Sequence, residues 1–217
     1  PLGMQASTFS FAEATASGNY ATPYAALATG ETVELPLSVE EVLIPMGPAG
    51  ALWSNVLDMA NYLITELNEG LTPSGERLVS AENLALTWEP QVAISADASY
   101  GLGWVIEDYK GLKVINHGGN TFGFSSELAF LPELDLGISI LTNQRASALN
   151  QLLRYRLLEL LYEQESQFDE VLQLQLELTE KSQSELREAL LAQIDAEALA
   201  ANSGTYANDA LGEIRLY

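Results

Sequence analysis

A chain of 217 residues with 47% hydrophobic content is long enough to bury a proper core, which excludes disorder throughout. Nine basic against thirty acidic residues leave a formal charge of −21, which repels nucleic-acid phosphates and anionic lipid headgroups. With no cysteine and a single histidine, the chain can build neither disulfides nor thiolate or histidine-rich metal centres, so no metal and no other cofactor is expected.

Residues 1 to about 50 are rich in Ala, Thr, Gly and Pro with poor periodicity, and read as irregular structure laid over a core supplied by other parts of the chain. From Leu52 to Leu67 the residues Val56, Leu57, Ala60, Leu63, Ile64 and Leu67 recur at helical spacing, with Ser54 as the expected N-cap and Gly70 as the stop. Ser80-Ala81-Glu82 opens a second, shorter helix to about Trp88, ended by Pro90.

A β-meander is expected next. Gly101 to Glu107, Leu112 to His117, Phe124 to Leu131 and Leu136 to Thr142 are strand-length runs, separated by turn clusters such as Asp108-Tyr109-Lys110-Gly111 and Pro132-Glu133-Leu134-Asp135. Connections this short make neighbouring strands antiparallel. Gly137 to Leu141 has little polar interruption, which predicts a central strand covered on both faces. The leucines Leu149, Leu152, Leu153, Leu157, Leu160 and Leu161, between Ala146 and about Tyr162, predict a helix lying across that sheet.

Val171 to Leu178 alternates at period two, but its leucines and glutamines favour helix. Ser182-Gln183-Ser184-Glu185 reads as a capping box that starts a separate helix over Leu186 to Ala201. Ser203-Gly204 breaks that helix, and Gly212 to Tyr217 begins a strand. No stretch reaches the apolar length needed to span a bilayer.

The lone histidine, His117, sits in Asn116-His117-Gly118-Gly119-Asn120. On its own it reads as a hydrogen-bonded turn residue. Its two glycines offer a second reading, because a residue without Cβ lets backbone approach a ligand closely beside a titratable imidazole. Trp53, Trp88 and Trp104 read as core or wall aromatics, and Asn143 as an amide that satisfies backbone.

Five short segments, in order, resemble the class C branch of the serine β-lactamase and penicillin-binding protein superfamily. They are Pro1-Leu2-Gly3-Met4 with Thr8; Pro48 to Ser54 leading to Asp58-Met59-Ala60; Tyr100-Gly101-Leu102-Gly103-Trp104; His117-Gly118-Gly119 with Gly123-Phe124; and Leu131-Pro132-Glu133 running to Leu141-Thr142-Asn143. The resemblance implies an α+β fold, an antiparallel sheet flanked by helices, and hydrolysis of ester, D-amino-acid peptide or β-lactam-like amide bonds through an acyl-serine. It implies that His117 stands where the family has lysine, that the N–H of Asn120 stabilises the oxyanion, and that Gly118, Gly119 and Tyr100 meet a small-molecule or peptide substrate. An imidazole in place of lysine shifts the expected substrates toward esters and D-amino-acid peptides and away from β-lactams.

The family's nucleophile motif is missing, since none of Lys110, Lys113 and Lys181 has a serine three positions earlier. Tyr206-Ala207-Asn208 follows the His-Gly-Gly segment instead of preceding it, so it does not match the family's Tyr-x-Asn. The expected organisation is therefore residues 1–162 as the C-terminal part of a hydrolase domain, 163–202 as a helical linker and 203–217 as the start of a small β-rich domain. Such a piece is expected to be inactive by itself and prone to self-association through exposed sheet edges. The resemblance also implies a periplasmic or extracellular parent. A non-catalytic binding or regulatory module on the same fold is the alternative.

Overall fold

In a computed structural model, which describes residues 1–145, 148–191, 196–208 and 212–216, the strand runs of the middle third pair in sequence order into one antiparallel sheet. Its strands are preceded by α1 (Phe11–Ala16), the hairpin β1 (Tyr24–Ala26) and β2 (Thr32–Glu34), a 3-10 segment (Leu37–Met46), the single turn α2 (Gly47–Gly50), α3 (Val56–Leu67) and α4 (Ala81–Thr87). The sheet comprises β3 (Val92–Ala93), β4 (Ala98–Tyr100), β5 (Val105–Tyr109), β6 (Leu112–Asn120), β7 (Ser125–Leu131) and β8 (Leu136–Thr142). Helices α5 (Leu149–Leu161), α6 (Phe168–Leu191) and α7 (Ala196–Asn202) follow, then the exposed hairpin β9 (Gly204–Asn208) and β10 (Gly212–Leu216). The fold is α+β, and among the described residues no helix is long and apolar enough to cross a membrane.

Local chemistry explains the meander. Lys110 and Gly111 both take positive φ between β5 and β6, the two-residue turn whose twist matches paired strands, and the Asp108 carboxylate accepts from the Gly111 N–H at 2.8 Å. Register then runs from Tyr109 opposite Leu112 to Val105 opposite Asn116 on one side of β6, and from Ile115 opposite Phe130 to Asn120 opposite Ser125 on the other.

Two apolar clusters sandwich the sheet. Val114, Ala129, Leu131 and Ile138 pack with Leu158 of α5, while Ile115, Phe130 and Trp104 pack with Leu63 of α3. Adjacent residues of β6 thus feed opposite layers, as the strand's period of two requires.

The details depart from the sequence reading in several places. Helix α3 is capped by Asn55, whose Oδ1 accepts from Leu57 and Asp58 N–H, and not by Ser54. Strand β8 has helices against both faces, as expected, but it is the edge of the described sheet and not a central strand. In α5 the residues turned inward are Leu152 and Leu158 with Asn150, Arg154 and Glu159, whereas Leu149, Leu153, Leu157, Leu160 and Leu161 are exposed. Helix α6 runs through Ser182 to Glu185 without a break, because the surrounding Leu, Gln, Glu and Lys are good helix formers. Ala146, at the start of the predicted α5, and residues 192–195, within the predicted helix to Ala201, lie outside the described residues.

Candidate functional site

Strand β6 changes character halfway along. Val114, Ile115 and Asn116 are buried, whereas His117, Gly118 and Asn120 are exposed at the mouth of a cavity of about 1270 Å³. His117-Gly118-Gly119 is thus strand and not turn. The opposite walls come from the first segment of the chain (Ser7, Thr8), the stretch ahead of α3 (Trp53, Ser54) and the aromatic Trp104.

The glycines keep that end of β6 low. A Cβ on Gly119 would lie 2.5 Å from the Ser126 Oγ, and one on Gly118 would lie 3.2 Å from the Glu127 Oε2. Backbone there can meet a ligand with no side chain intervening. His117 is held from outside the cavity, its Nε2 hydrogen bonded to the Tyr100 hydroxyl at 3.1 Å with the rings edge to face. Tyr100 itself is not among the cavity-lining residues; it reaches the site through the imidazole.

Asn120 ends β6 opposite Ser125, whose hydroxyl lies 2.7 Å from both the Asn120 Oδ1 and the Gln144 carbonyl. The turn beyond it is fixed from far away in sequence. Buried Glu40 accepts from the Gly123 N–H at 2.8 Å and the Thr121 hydroxyl at 3.2 Å, and Gly123 packs so tightly on Pro23 that a Cβ would come within 2.1 Å of it. Nothing in the sequence around Glu40 announces this partner, because the contact spans eighty-three positions.

Two further arrangements escaped the sequence reading. Ser7 donates to the Asp58 carboxylate at 2.7 Å and lies 2.7 Å from the Ser54 hydroxyl, while the Ala6 N–H also reaches Asp58 at 2.9 Å. This trio ties the first segment to α3 and explains why Ser54 does not cap the helix. It places a carboxylate beside two hydroxyls, while the imidazole of His117 is hydrogen bonded to Tyr100 instead.

Behind β6 lies a buried charge network. Arg154 of α5 pairs with Glu107 at 2.9 Å and Glu127 at 2.8 Å, and Asn116 donates to Glu107 at 3.2 Å. Burial holds the Glu127 carboxyl above the usual carboxylate range, an effect that Arg154 opposes. The two carboxylates outweigh the desolvation of Arg154 and raise its basicity. Burial and the bond to Glu107 push the Tyr155 hydroxyl up to about 12.

Among the described residues no group of three or more His, Cys, Asp or Glu could hold a metal ion. Trp53 and Trp104 line the cavity, Trp88 packs edge to face on Phe130 in the core, and Asn143 donates to the Thr22 carbonyl at 2.7 Å. Tyr206-Ala207-Asn208 lies in the exposed hairpin strand β9, and none of its residues lines the cavity.

A sequence profile of the Beta-lactamase family matches residues 1–162. The chain is 31% identical over 157 residues to the unguisins hydrolase of Aspergillus campestris, an alignment covering 68% of this chain and 28% of that protein. It is 30% identical over 103 residues to penicillin-binding protein 4 of Amycolatopsis lactamdurans, covering 45% of this chain and 27% of that one. It therefore spans under a third of the length of both curated relatives. Among solved structures, the octameric penicillin-binding protein homologue of Pyrococcus abyssi superposes with a TM-score of 0.64 at 25% identity, over 76% of this chain and 36% of the other. A class C beta-lactamase mutant superposes with a TM-score of 0.54 at 19% identity, over 73% of this chain and 48% of the other, which speaks to fold alone.

Proposed function

Because the chain belongs to the Beta-lactamase family, we propose that it forms one wall of an acyl-transfer cleft in a class C-like serine hydrolase, with the nucleophilic serine supplied from outside these 217 residues. The substrates are esters, D-amino-acid peptides or β-lactam-like amides, attacked at the carbonyl to give an acyl-serine that water then releases. The N–H of Asn120 donates to the oxyanion that develops on the carbonyl oxygen. His117, steadied by Tyr100, contacts the substrate or the proton network, and Gly118 and Gly119 let the backbone close on it.

One observation carries this reading: the buried half of β6 anchors the strand rigidly, and the half bearing His117 to Asn120 opens onto the cavity. A site held by a strand whose other end is locked in the core is preorganised for charge that appears only during reaction.

The test uses a fluorescent penicillin and a chromogenic ester. The 217-residue chain should show neither label nor burst. A longer product of the same gene should carry Ser-x-x-Lys upstream and be acylated on that serine, with His117→Ala in it slowing acylation by about a hundredfold. Stoichiometric acylation of the 217-residue chain would falsify the proposal. A gene with no upstream Ser-x-x-Lys would favour the second reading, a binding or regulatory module, which the missing motif within the chain also supports.

A further inference from the structure

The residues on either side of His117 are held from the face of β6 that turns away from the α3 layer. Side chains alternate along a strand, so His117 shares a face with Ile115 and the α3 layer, whereas Asn116 and Gly118 share one with Val114 and the α5 layer. On that second face Asn116 donates to the Glu107 carboxylate at 3.2 Å. Glu127 lies opposite Gly118 in register, and its Oε2 stands 3.2 Å from where a Cβ on Gly118 would be, so the carboxylate borders the space that this glycine leaves.

Both carboxylates end on one guanidinium. Arg154, with a side chain only 1% exposed, reaches Glu107 of β5 at 2.9 Å and Glu127 of β7 at 2.8 Å, and so ties together the two strands that flank β6. Every member of the network belongs to β5, β6, β7 or α5, so it is complete within this chain, and Glu107, Glu127 and Arg154 reach the cavity only through β6. Stability does not account for it. Two carboxylates share one cation, and burial holds the Glu127 carboxyl above the usual carboxylate range, so its ionised form opposes folding. Apolar side chains of similar volume often fill such a space as well or better. What the charges add is direction, because a planar guanidinium with one donor on each carboxylate fixes how β5 and β7 lie beside β6.

From this geometry we infer that Arg154, Glu107 and Glu127 are positioning residues of the site strand: they fix Asn116 and Gly118 from behind, and through them set where His117 and the Asn120 N–H meet the reacting carbonyl. Displacing a reacting group by about 1 Å can slow chemistry by about a hundredfold, so a device that holds the strand without touching the substrate has a direct effect on rate. The inference rests on the acyl-transfer reading of the site and adds to it residues that act from the far face of the sheet.

The test separates position from stability, using the single histidine, whose ring signals are unambiguous by NMR. The triple variant Arg154→Met, Glu107→Gln, Glu127→Gln keeps most of the volume and leaves no charge, and Glu127→Gln alone is the milder change. Both should unfold near the parent's Tm yet displace the His117 ring signals, and the triple variant should speed amide exchange across residues 117 to 120 at least about tenfold. Glu159→Gln breaks a buried ion pair of α5 that reaches β5 and the start of α6 but not β6, so it should lower stability and leave the His117 signals in place. In a longer product of the same gene that carries the nucleophile, the triple variant should slow acylation at saturating substrate about tenfold with little change in half-saturation. Parent-like His117 signals and exchange in the triple variant and in Glu127→Gln would overturn the inference, as would parent-like acylation by the triple variant. Equal displacement of the signals by Glu159→Gln would also overturn it, because lost stability alone would then explain the effect. If the longer product were not acylated even with its parent sequence, the acyl-transfer reading itself would fail and take the catalytic role of the network with it.

Discussion

Replacing Arg154 by Met keeps most of the side-chain volume of α5 but leaves two carboxylates behind the candidate site without their cation. Arg154 has a side chain only 1% exposed, at 2.9 Å from Glu107 and 2.8 Å from Glu127, so bulk water cannot take its place. Breaking one side of a buried ion network costs about 3–5 kcal/mol, and in a chain of this size each kcal/mol lowers Tm by about 2–4 °C, which gives a fall of about 6–20 °C. The sign of the pH dependence is also determined. Burial already raises the Glu127 pKa, so its ionised form opposes folding, and the stability it contributes is complete below the ordinary carboxylate range and lost as pH rises through its folded value. Without Arg154 that shift grows, so the deficit of Arg154→Met should be largest above neutrality and shrink on acidification toward pH 5. Thermal unfolding followed by circular dichroism at three pH values measures both effects, and the triple variant Arg154→Met, Glu107→Gln, Glu127→Gln should recover most of the loss because no uncompensated charge remains. A Tm within about 2 °C of the parent, or a deficit that grows on acidification, would refute the reasoning.

Glu159 of α5 accepts from Lys110, Tyr109 and the Gln167 N–H. Burial by itself would raise its pKa, but these donors bring it down to about 2. Its contribution is therefore present above the ordinary carboxylate range and lost as pH falls from about 4.5 toward 2. Glu159→Gln should lower stability at pH 7 by about 1.5–3 kcal/mol, and its urea unfolding midpoint should converge with that of the parent near the low end of that range. Gly123→Ala forces a Cβ within 2.1 Å of Pro23 and should cost about 1–3 kcal/mol, whereas Gly119→Ala meets only the rotatable Ser126 Oγ and should leave Tm nearly unchanged; equal losses in calorimetry would contradict the geometry. Tyr100→Phe removes the 3.1 Å bond to an exposed imidazole, so the His117 NMR signals should move while Tm shifts by less than about 2 °C. The exposed leucines of α5, together with the β8 edge, predict concentration-dependent association in sedimentation velocity, which Leu157→Glu with Leu160→Glu should weaken; a dispersed monomer at all concentrations would count against it.

What the sequence by itself determined is local in origin. The Lys110-Gly111 turn is specified locally because Gly111 takes its positive φ without strain and its N–H meets the Asp108 carboxylate, and Ser80 caps α4 because its hydroxyl reaches the Asn83 N–H three residues on. The antiparallel meander follows from signals of that range. The tertiary structure decided matters in which a side chain chose between a near and a distant partner. Ser54 could have capped α3, but Ser7 brings its hydroxyl into the Asp58 network and Asn55 takes the cap. The leucines of α5 form the more apolar stripe, yet Arg154 turns inward because Glu107 and Glu127, from two different strands, wait beneath it. Glu40 holds the turn after Asn120 through hydrogen bonds that no nearby residue foretells. A buried charge must find its counterpart wherever the fold brings one, and a pattern of three or four neighbouring residues cannot encode a partner that arrives only when the sheet closes.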